Sequence, residues 1–382
     1  LKTISLFHPF SAQAIGLKEE DLYHSHSKAQ ELALRAIQNK ADFSISIDYF
    51  TGKTLPYQKE IKGLEKQFWP VTSPLLKKKH AWRKQHSLWH YKFQKRQPQD
   101  LTIINMSGHG SAYTFKLAKL IKSQGLHYIP MVGGIHMSIH EAALEYYKQA
   151  HHILVHTLVQ KEELQKNDSF KNLDIRVLPL GVDTKRFRPS SNFKNQTTPE
   201  MFRLLQVGRI SRLKQIELSL ELIAYLNRKG VSASLEIVGF ASDQLYLQEL
   251  HALANTLGIE KQVSFVGAIK QEELVEYYQK ADVLLTPSQH ESFGMVMVEA
   301  MACGTAVVGL KGAGGTDEII EHNHNGLLVE KEEFNQKILN LLQQPKELLV
   351  FQQNAVESVN KKWSLEITAS ILEKSIKDGI NP

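Results

Sequence analysis

Short apolar runs rich in Val, Ile, Leu and Phe alternate with longer stretches of helical periodicity along nearly the whole chain. This alternation is the pattern of parallel α/β layers. In the first half it predicts strands at 3–7, 43–49, 101–106, 128–132, 153–155 and 175–178, and helices at 27–39, 114–123, 139–148 and 158–166. In the second half it predicts strands at 203–207, 234–238, 262–266, 283–286, 306–308 and 327–329. Helices there fall at 216–229, 243–257, 271–280 and 293–303, and the chain closes with helices at 334–343, 345–359 and 364–377.

One of these helices is unlike the rest. Met295-Val296-Met297-Val298 and Ala300-Met301-Ala302-Cys303 surround Glu299 with apolar residues on every side. A helix apolar all round is a buried helix. An ionised carboxylate inside it costs several kcal/mol unless it is satisfied. A core Arg or Lys would satisfy it, and so would the vicinal hydroxyls of a bound ribose. Ahead of the helix, Ser292-Phe293-Gly294 places backbone N–H groups at a positive helix end, a seat for an anion. Gly304 is the expected C-terminal cap.

The length of 382 residues suits two domains, and the polar stretch 189–200 is the expected linker. The expected division is 1–190 and 200–363, with the closing helix of 364–382 completing the first domain. Two doubly wound sheets with a hinge would place ligands at the carboxyl ends of their strands, in a cleft between the domains. Cys303 is the only cysteine, which excludes a disulfide framework and fits a reducing, cytoplasmic setting. No apolar run reaches the ~18 residues a membrane span needs. Charge is divided unevenly: 29 Lys and Arg against 16 Asp and Glu in residues 1–199, but 17 against 24 in 200–382. A basic half suggests an anionic partner facing it.

The chemistry-bearing residues follow predicted strands. After the first strand, 8–26 reads as a long loop ending in Tyr23-His24-Ser25-His26. His109 follows Ser107-Gly108, and His136 follows Gly133-Gly134. In the second half Gly208 and Arg209 end a strand, Lys214 begins the next helix, and Gly312-Ala313-Gly314-Gly315 forms a flexible loop. Two cations beside a helix N-terminus suit a diphosphate. No Asp-x-Asp occurs and no His-x3-His falls beside a carboxylate on a convincing helix, so no metal cofactor is expected.

Together these residues resemble the retaining glycosyltransferases of family four, which have the GT-B fold of two Rossmann-like domains facing an interdomain cleft. The matching stretches are VGRISRLK at 207–214, LPLGVDTKRFRP at 178–189, ESFGMVMVE at 291–299 (a Glu-x7-Glu motif), and GAGGTDEII with NGLLV at 312–320 and 325–329. The resemblance implies a nucleotide-diphosphate sugar as donor, a UDP-sugar first and a GDP-sugar next. It implies that Arg209 and Lys214 hold the diphosphate with the backbone of Phe293, Gly294 and Met295, that Gly208 and Gly239 border the donor, and that Glu299 takes the ribose hydroxyls. Glu291 would meet the transferred sugar, and His136 would be the active-site histidine. The acceptor, a glycan or lipid-linked hydroxyl, would lie near His24, His26, His109 and Gly134. The sequence departs from the family where Tyr23-His24-Ser25-His26 replaces a Gly-Gly turn and where Asp317 replaces a common proline.

Two other readings are weighed beside this one. A nucleotide-sugar epimerase shares the GT-B architecture but lacks the Glu-x7-Glu pairing with Gly-Arg…Lys. A non-enzymatic binder of anionic polymers would use the basic half, yet no nucleic-acid motif is present. Lastly, 75–96 reads as a helix with Leu75, Trp82, His86, Trp89 and Phe93 on one face and Lys or Arg elsewhere. Such a helix either docks on an anionic membrane surface or packs on its own sheet.

Overall fold

The computed structural model describes every residue except 25–27, 41–42, 73–81, 107–109, 134–136, 192, 194–199 and 382. The chain forms two compact units, Leu1–Leu180 with Leu365–Pro382, and Gly181–Ser364. The division falls before the polar 189–200 stretch. Val182 donates its N–H to Trp363 O at 2.9 Å, and Phe187 lies 6.2 Å from the Tyr278 ring, so 181–189 packs with the second unit.

Among its described residues the first unit has eight strands: β1 (Lys2–Ser11), β2 (Phe43–Thr51), β3 (Tyr57–Ile61), β4 (Leu64–Pro70), β5 (Leu101–Met106), β6 (His127–Val132), β7 (Ile153–Val155) and β8 (Ile175–Val177). Their order is β3-β4-β2-β1-β5-β6-β7-β8, parallel except for the β3–β4 hairpin. Ile4, Ser5, Leu6 and Phe7 are all buried, as a central strand covered on both faces requires. Strand order reverses at β1 and β5, the switch point where doubly wound sheets open a crevice.

Three polar devices hold this unit together. Asp48 accepts from Ser5 Oγ, from Ser46 Oγ at 3.1 Å and from Trp69 Nε1 at 2.7 Å, and burial pushes its pKa up. Buried Lys66 donates to Leu22 O (2.8 Å), Tyr23 O (3.0 Å) and Glu31 Oε1 (2.7 Å), and so clamps the end of the helix Glu19–His24. The closing helix Leu365–Ile380 buries Leu372 and Ile376 in the first unit. Its Thr368 Oγ1 donates to Pro179 O at 2.8 Å, and its Asp378 accepts from Arg176 at 2.6 Å.

Two sequence expectations are corrected here. The loop expected at 8–26 is largely ordered: β1 runs on to Ser11, a 3-10 turn covers Ala12–Ile15, and Glu19–His24 is helical. The helix expected over 75–96 is not continuous. A 3-10 turn spans Trp82–Lys84 and a helix begins only at Leu88–Arg96, with 75–81 outside the described residues. The break has a cause. Gln85 turns inward and exchanges two 2.8 Å hydrogen bonds with Ser11, while Ser87 Oγ caps the helix by accepting from His90 N–H. The expected single aromatic face is therefore split. Phe93 packs against Trp69 at 4.7 Å, while Trp89 is 49% exposed.

Among its described residues the second unit has six parallel strands: β9 (Phe202–Val207), β10 (Ala233–Val238), β11 (Val263–Gly267), β12 (Val283–Thr286), β13 (Ala306–Leu310) and β14 (Gly326–Val329). Their order is β11-β10-β9-β12-β13-β14, which puts the switch point between β9 and β12. Leu220 and Ile223 of the helix Ile216–Arg228 join Leu235, Val283, Val308 and Ile338 in one core.

Candidate functional site

The loops leaving β9 and β12 meet at this second switch point. After β9, Gln206 holds the turn Arg212–Lys214 in place: its Nε2 donates to Lys214 O at 2.9 Å, and its Oε1 accepts from Ser219 Oγ at 2.8 Å. Gln289 N–H donates to Leu213 O at 3.0 Å, which ties this turn to the loop after β12. Lys214 Nζ then forms an ion pair with Glu291 Oε1; the two side chains are 21% and 12% exposed. Arg209 is exposed. Gly208 and Gly239 end adjacent strands so closely that a Cβ on Gly239 would stand 1.8 Å from Gly208 O. Only glycine fits there.

The glycine loop after β13 closes against the same place. Glu291 N–H donates to Ala313 O and Glu291 O accepts from Gly315 N–H, both at 2.7 Å. A Cβ on Gly315 would lie 2.3 Å from Phe293 O. Asp317 fixes the loop, its two oxygens accepting from Gly312 N–H at 2.8 Å and Gly314 N–H at 3.0 Å. Asp317 thus has a local task, and the loop expected at Gly312–Gly315 runs at its last residue into a short helix, Gly315–Ile319.

Gly294, at φ 99°, caps the helix Met295–Ala302, and this left-handed conformation favours glycine. Inside that helix Glu299 is 4% exposed. Its Oε1 accepts from Gln271 Nε2 at 2.7 Å and its Oε2 from the Tyr278 hydroxyl at 2.9 Å. Both are neutral donors, where the sequence suggested a cation or a ribose. Gln271 and Tyr278 stand two turns apart on the helix Gln271–Lys280, a spacing that could have flagged them. Burial and nearby Glu299 push the Cys303 thiol up to about 12, so it stays a protonated, inert core group.

The acceptor-side residues are less fully placed. His24 closes the helix Glu19–His24, while His26, His109, Gly134 and His136 lie outside the described residues. Among the described residues no group of three or more His, Cys, Asp or Glu is arranged to hold a metal ion, and no helix is long and apolar enough to cross a membrane.

A chain with this arrangement can be compared with known proteins. Residues 187–358 match the family model described as Glycosyl transferases group 1. That stretch contains Gly208, Arg209, Lys214, Glu291, Glu299 and the glycine loop. The D-inositol 3-phosphate glycosyltransferase 2 of Catenulispora acidiphila is 35% identical over 214 residues, which cover 52% of this chain and 50% of that protein. The D-inositol 3-phosphate glycosyltransferase of Corynebacterium jeikeium is 33% identical over 191 residues, 47% of this chain and 45% of that one. The chain thus spans about half the length of the curated relatives it matches. Sucrose-phosphate synthase from Thermosynechococcus elongatus superposes with a TM-score of 0.74 at 19% identity, covering 99% of this chain and 98% of that one. Anabaena Alr3699/HepE, solved in complex with UDP, gives 0.72 at 17% identity over 99% and 100%. The fold is GT-B, with two Rossmann-like units.

Proposed function

We propose that this protein is a retaining glycosyltransferase that moves a sugar from a nucleotide-diphosphate sugar to a hydroxyl of a glycan or lipid-linked acceptor, in polysaccharide or glycoconjugate biosynthesis. The observation that carries the reading is the meeting of Lys214, Glu291 and the glycine loop at the β9–β12 switch point, ahead of the helix that buries Glu299. A UDP-sugar is the preferred donor, supported by HepE structures that hold UDP and UDP-glucose.

On this reading Arg209 and Lys214 neutralise the diphosphate, aided by the N–H groups of Phe293, Gly294 and Met295 at the helix end. Glu299 receives the ribose hydroxyls, and Gln271 and Tyr278 keep its carboxylate solvated by protein until they do. Glu291 and His136 position the transferred sugar. The bond from the anomeric carbon to the phosphate oxygen breaks while the bond to the acceptor oxygen forms on the same face. The acceptor's proton passes to the departing phosphate oxygen, so atoms and charge balance without a protein nucleophile. Catalysis rests on positioning and on stabilising leaving-group charge. The enzyme acts in the cytoplasm, with His24, His26, His109 and Gly134 on the acceptor side.

Calorimetry with UDP, and release of UDP from UDP-glucose, test the reading. Lys214→Ala should weaken UDP binding and reduce turnover by orders of magnitude while leaving the circular dichroism spectrum unchanged. Undiminished turnover in Lys214→Ala and in Arg209→Ala would remove the assignment. Conversion of the donor to its epimer without an acceptor would favour the epimerase instead.

A further inference from the structure

The first unit carries a cavity that the donor site does not use. It has a volume of about 210 Å³ and lies between the turn Trp82–Lys84, the start of the helix Leu88–Arg96 and the start of the helix Ala112–Ser123. Arg83, Lys84, His86 and Lys116 line it together with Tyr91 and Tyr113, and none of its lining residues is acidic.

Its position follows from the chain. The Gln85–Ser11 pair ties the basic turn to the end of β1. Thr72, just past β4, donates its N–H to His86 O at 3.0 Å and accepts from Leu88 N–H at 2.9 Å. The helix Ala112–Ser123 follows β5. The cavity therefore sits at the carboxyl ends of β1, β4 and β5, by the switch point of the first sheet, where such sheets take ligands.

Its lining charge is positive: the buried Asp48 acts on Tyr113 but is itself engaged by Ser5, Ser46 and Trp69, and of the nearby cations Lys66 and Lys119 pair with Glu31 and Glu145. From Glu65 to Glu141 the sequence holds one intervening acid, Asp100, against twelve Lys and Arg. Asp100 is already engaged by Lys2 Nζ at 2.9 Å and Thr3 N–H at 2.8 Å. Arg83, Lys84 and Lys116 form no ion pair with any described residue. Aromatic faces steady two of them: Lys116 Nζ lies 4.7 Å from the Tyr91 ring centre, and the Arg83 guanidinium 5.3 Å from that of Trp82. Two helix N-termini add their positive ends. In each the cap takes the third N–H, that of His90 or Thr114, and Thr72 Oγ1 takes that of Leu88.

We propose that this cavity binds a phosphate ester, the anionic part of the acceptor. This rests on the transferase reading and names its acceptor class: a hydroxylated molecule with a phosphate. The volume falls below the ~300–1,000 Å³ of sites for drug-sized ligands, which suits a phosphate on a small polyol or a lipid head group rather than a long glycan. Arg83 supplies the planar fork that grips two phosphate oxygens, and Lys84 and Lys116 act as point charges.

The test uses the full chain and two probes of shared chemistry, glycerol 3-phosphate in solution and vesicles of phosphatidylcholine with or without phosphatidic acid. Glycerol 3-phosphate binding, followed by calorimetry with saturating UDP present to fill the donor site, should weaken at least tenfold in Arg83→Ala/Lys116→Ala. The charge-keeping pair Arg83→Lys/Lys116→Arg should recover part of the loss. Vesicle binding that needs phosphatidic acid, and is lost in the same double variant, assigns the site to a lipid-borne phosphate. Binding of glycerol 3-phosphate without vesicle binding assigns it to a free one. No binding of either probe, or equal binding by wild type and double variant, overturns the proposal. UDP binding is measured on the same samples, so failure of the transferase reading shows separately, as absent UDP binding.

Discussion

Lys214 and Glu291 neutralise one another, so each governs how much charge the other presents. This makes the two motif glutamates separable. Glu299→Gln should weaken binding of free UDP by about 1.5–3 kcal/mol, the worth of a hydrogen bond to a charged group. Glu291→Gln should bind free UDP at least as tightly as wild type, because Lys214 loses its competing carboxylate, yet transfer sugar poorly. Calorimetry with UDP alone and turnover with UDP-glucose read the two effects apart, and equal losses of UDP affinity would contradict both roles. The neutral donors around Glu299 have their own consequence. Tyr278→Phe leaves one carboxylate oxygen without its 2.9 Å partner and should destabilise the second unit by about 1–3 kcal/mol in urea unfolding.

The glycine loop, its short helix and the turn after β9 behave as one braced element. Gly315→Ala would force a Cβ to within 2.3 Å of Phe293 O, a backbone atom that cannot swing away. A cost on the order of 1–3 kcal/mol is expected, which at this size lowers the melting temperature by roughly 2–4 °C per kcal/mol. Turnover should fall further than stability, because the loop also braces Glu291; a melting temperature equal to wild type would show that the loop is slack.

Period and composition made much of this architecture legible. The strands before the site and the helix around Glu299 follow from apolar runs that only a buried parallel sheet explains. What escaped was carried by side chains whose partners are distant in sequence. Asp317 looks like an unexplained substitution until Gly312 and Gly314 are seen donating to it. The hairpin of β3 and β4 is polar on its outer strand, so Tyr57–Ile61 showed no strand-like apolar run. Gln85 reads as one more polar residue in a helical stretch, yet it turns inward to Ser11 where that helix is interrupted and lines the basic cavity.

At the scale of the molecule, acid sensitivity should be concentrated in the first unit. Burial depresses His90 and His152 from 6.5 to about 3. Between those values the unfolded chain binds protons that the folded chain does not. Their contribution is therefore complete above pH 6.5 and is lost as the pH falls toward 3. The slope is about 1.4 kcal/mol per pH unit for each histidine. Asp48, raised by burial, works in the opposite sense from its unfolded value of 3.8 upward. Chemical unfolding of wild type and His90→Gln at several values from pH 7.5 to 5 isolates one histidine; the variant should show a shallower loss by about one proton, and parallel curves would refute the burial argument.

The closing helix Leu365–Ile380 carries a consequence for the order of events on the ribosome. Domains ordinarily fold as they are synthesised, the N-terminal one first. Here the sheet of residues 1–180 stays without the helix that covers Leu101 and Ile129 until residues 365–380 emerge, by which point Gly181–Ser364 is already whole. The second unit should therefore reach its native state before the first, and the sheet of residues 1–180 should keep an apolar face open to chaperones while 181–364 is being made. Chains arrested at residue 364 plus an unstructured tether long enough to clear the exit tunnel should show protease protection of 181–364 and cleavage within 1–180, and arrested chains extended through 382 should protect both.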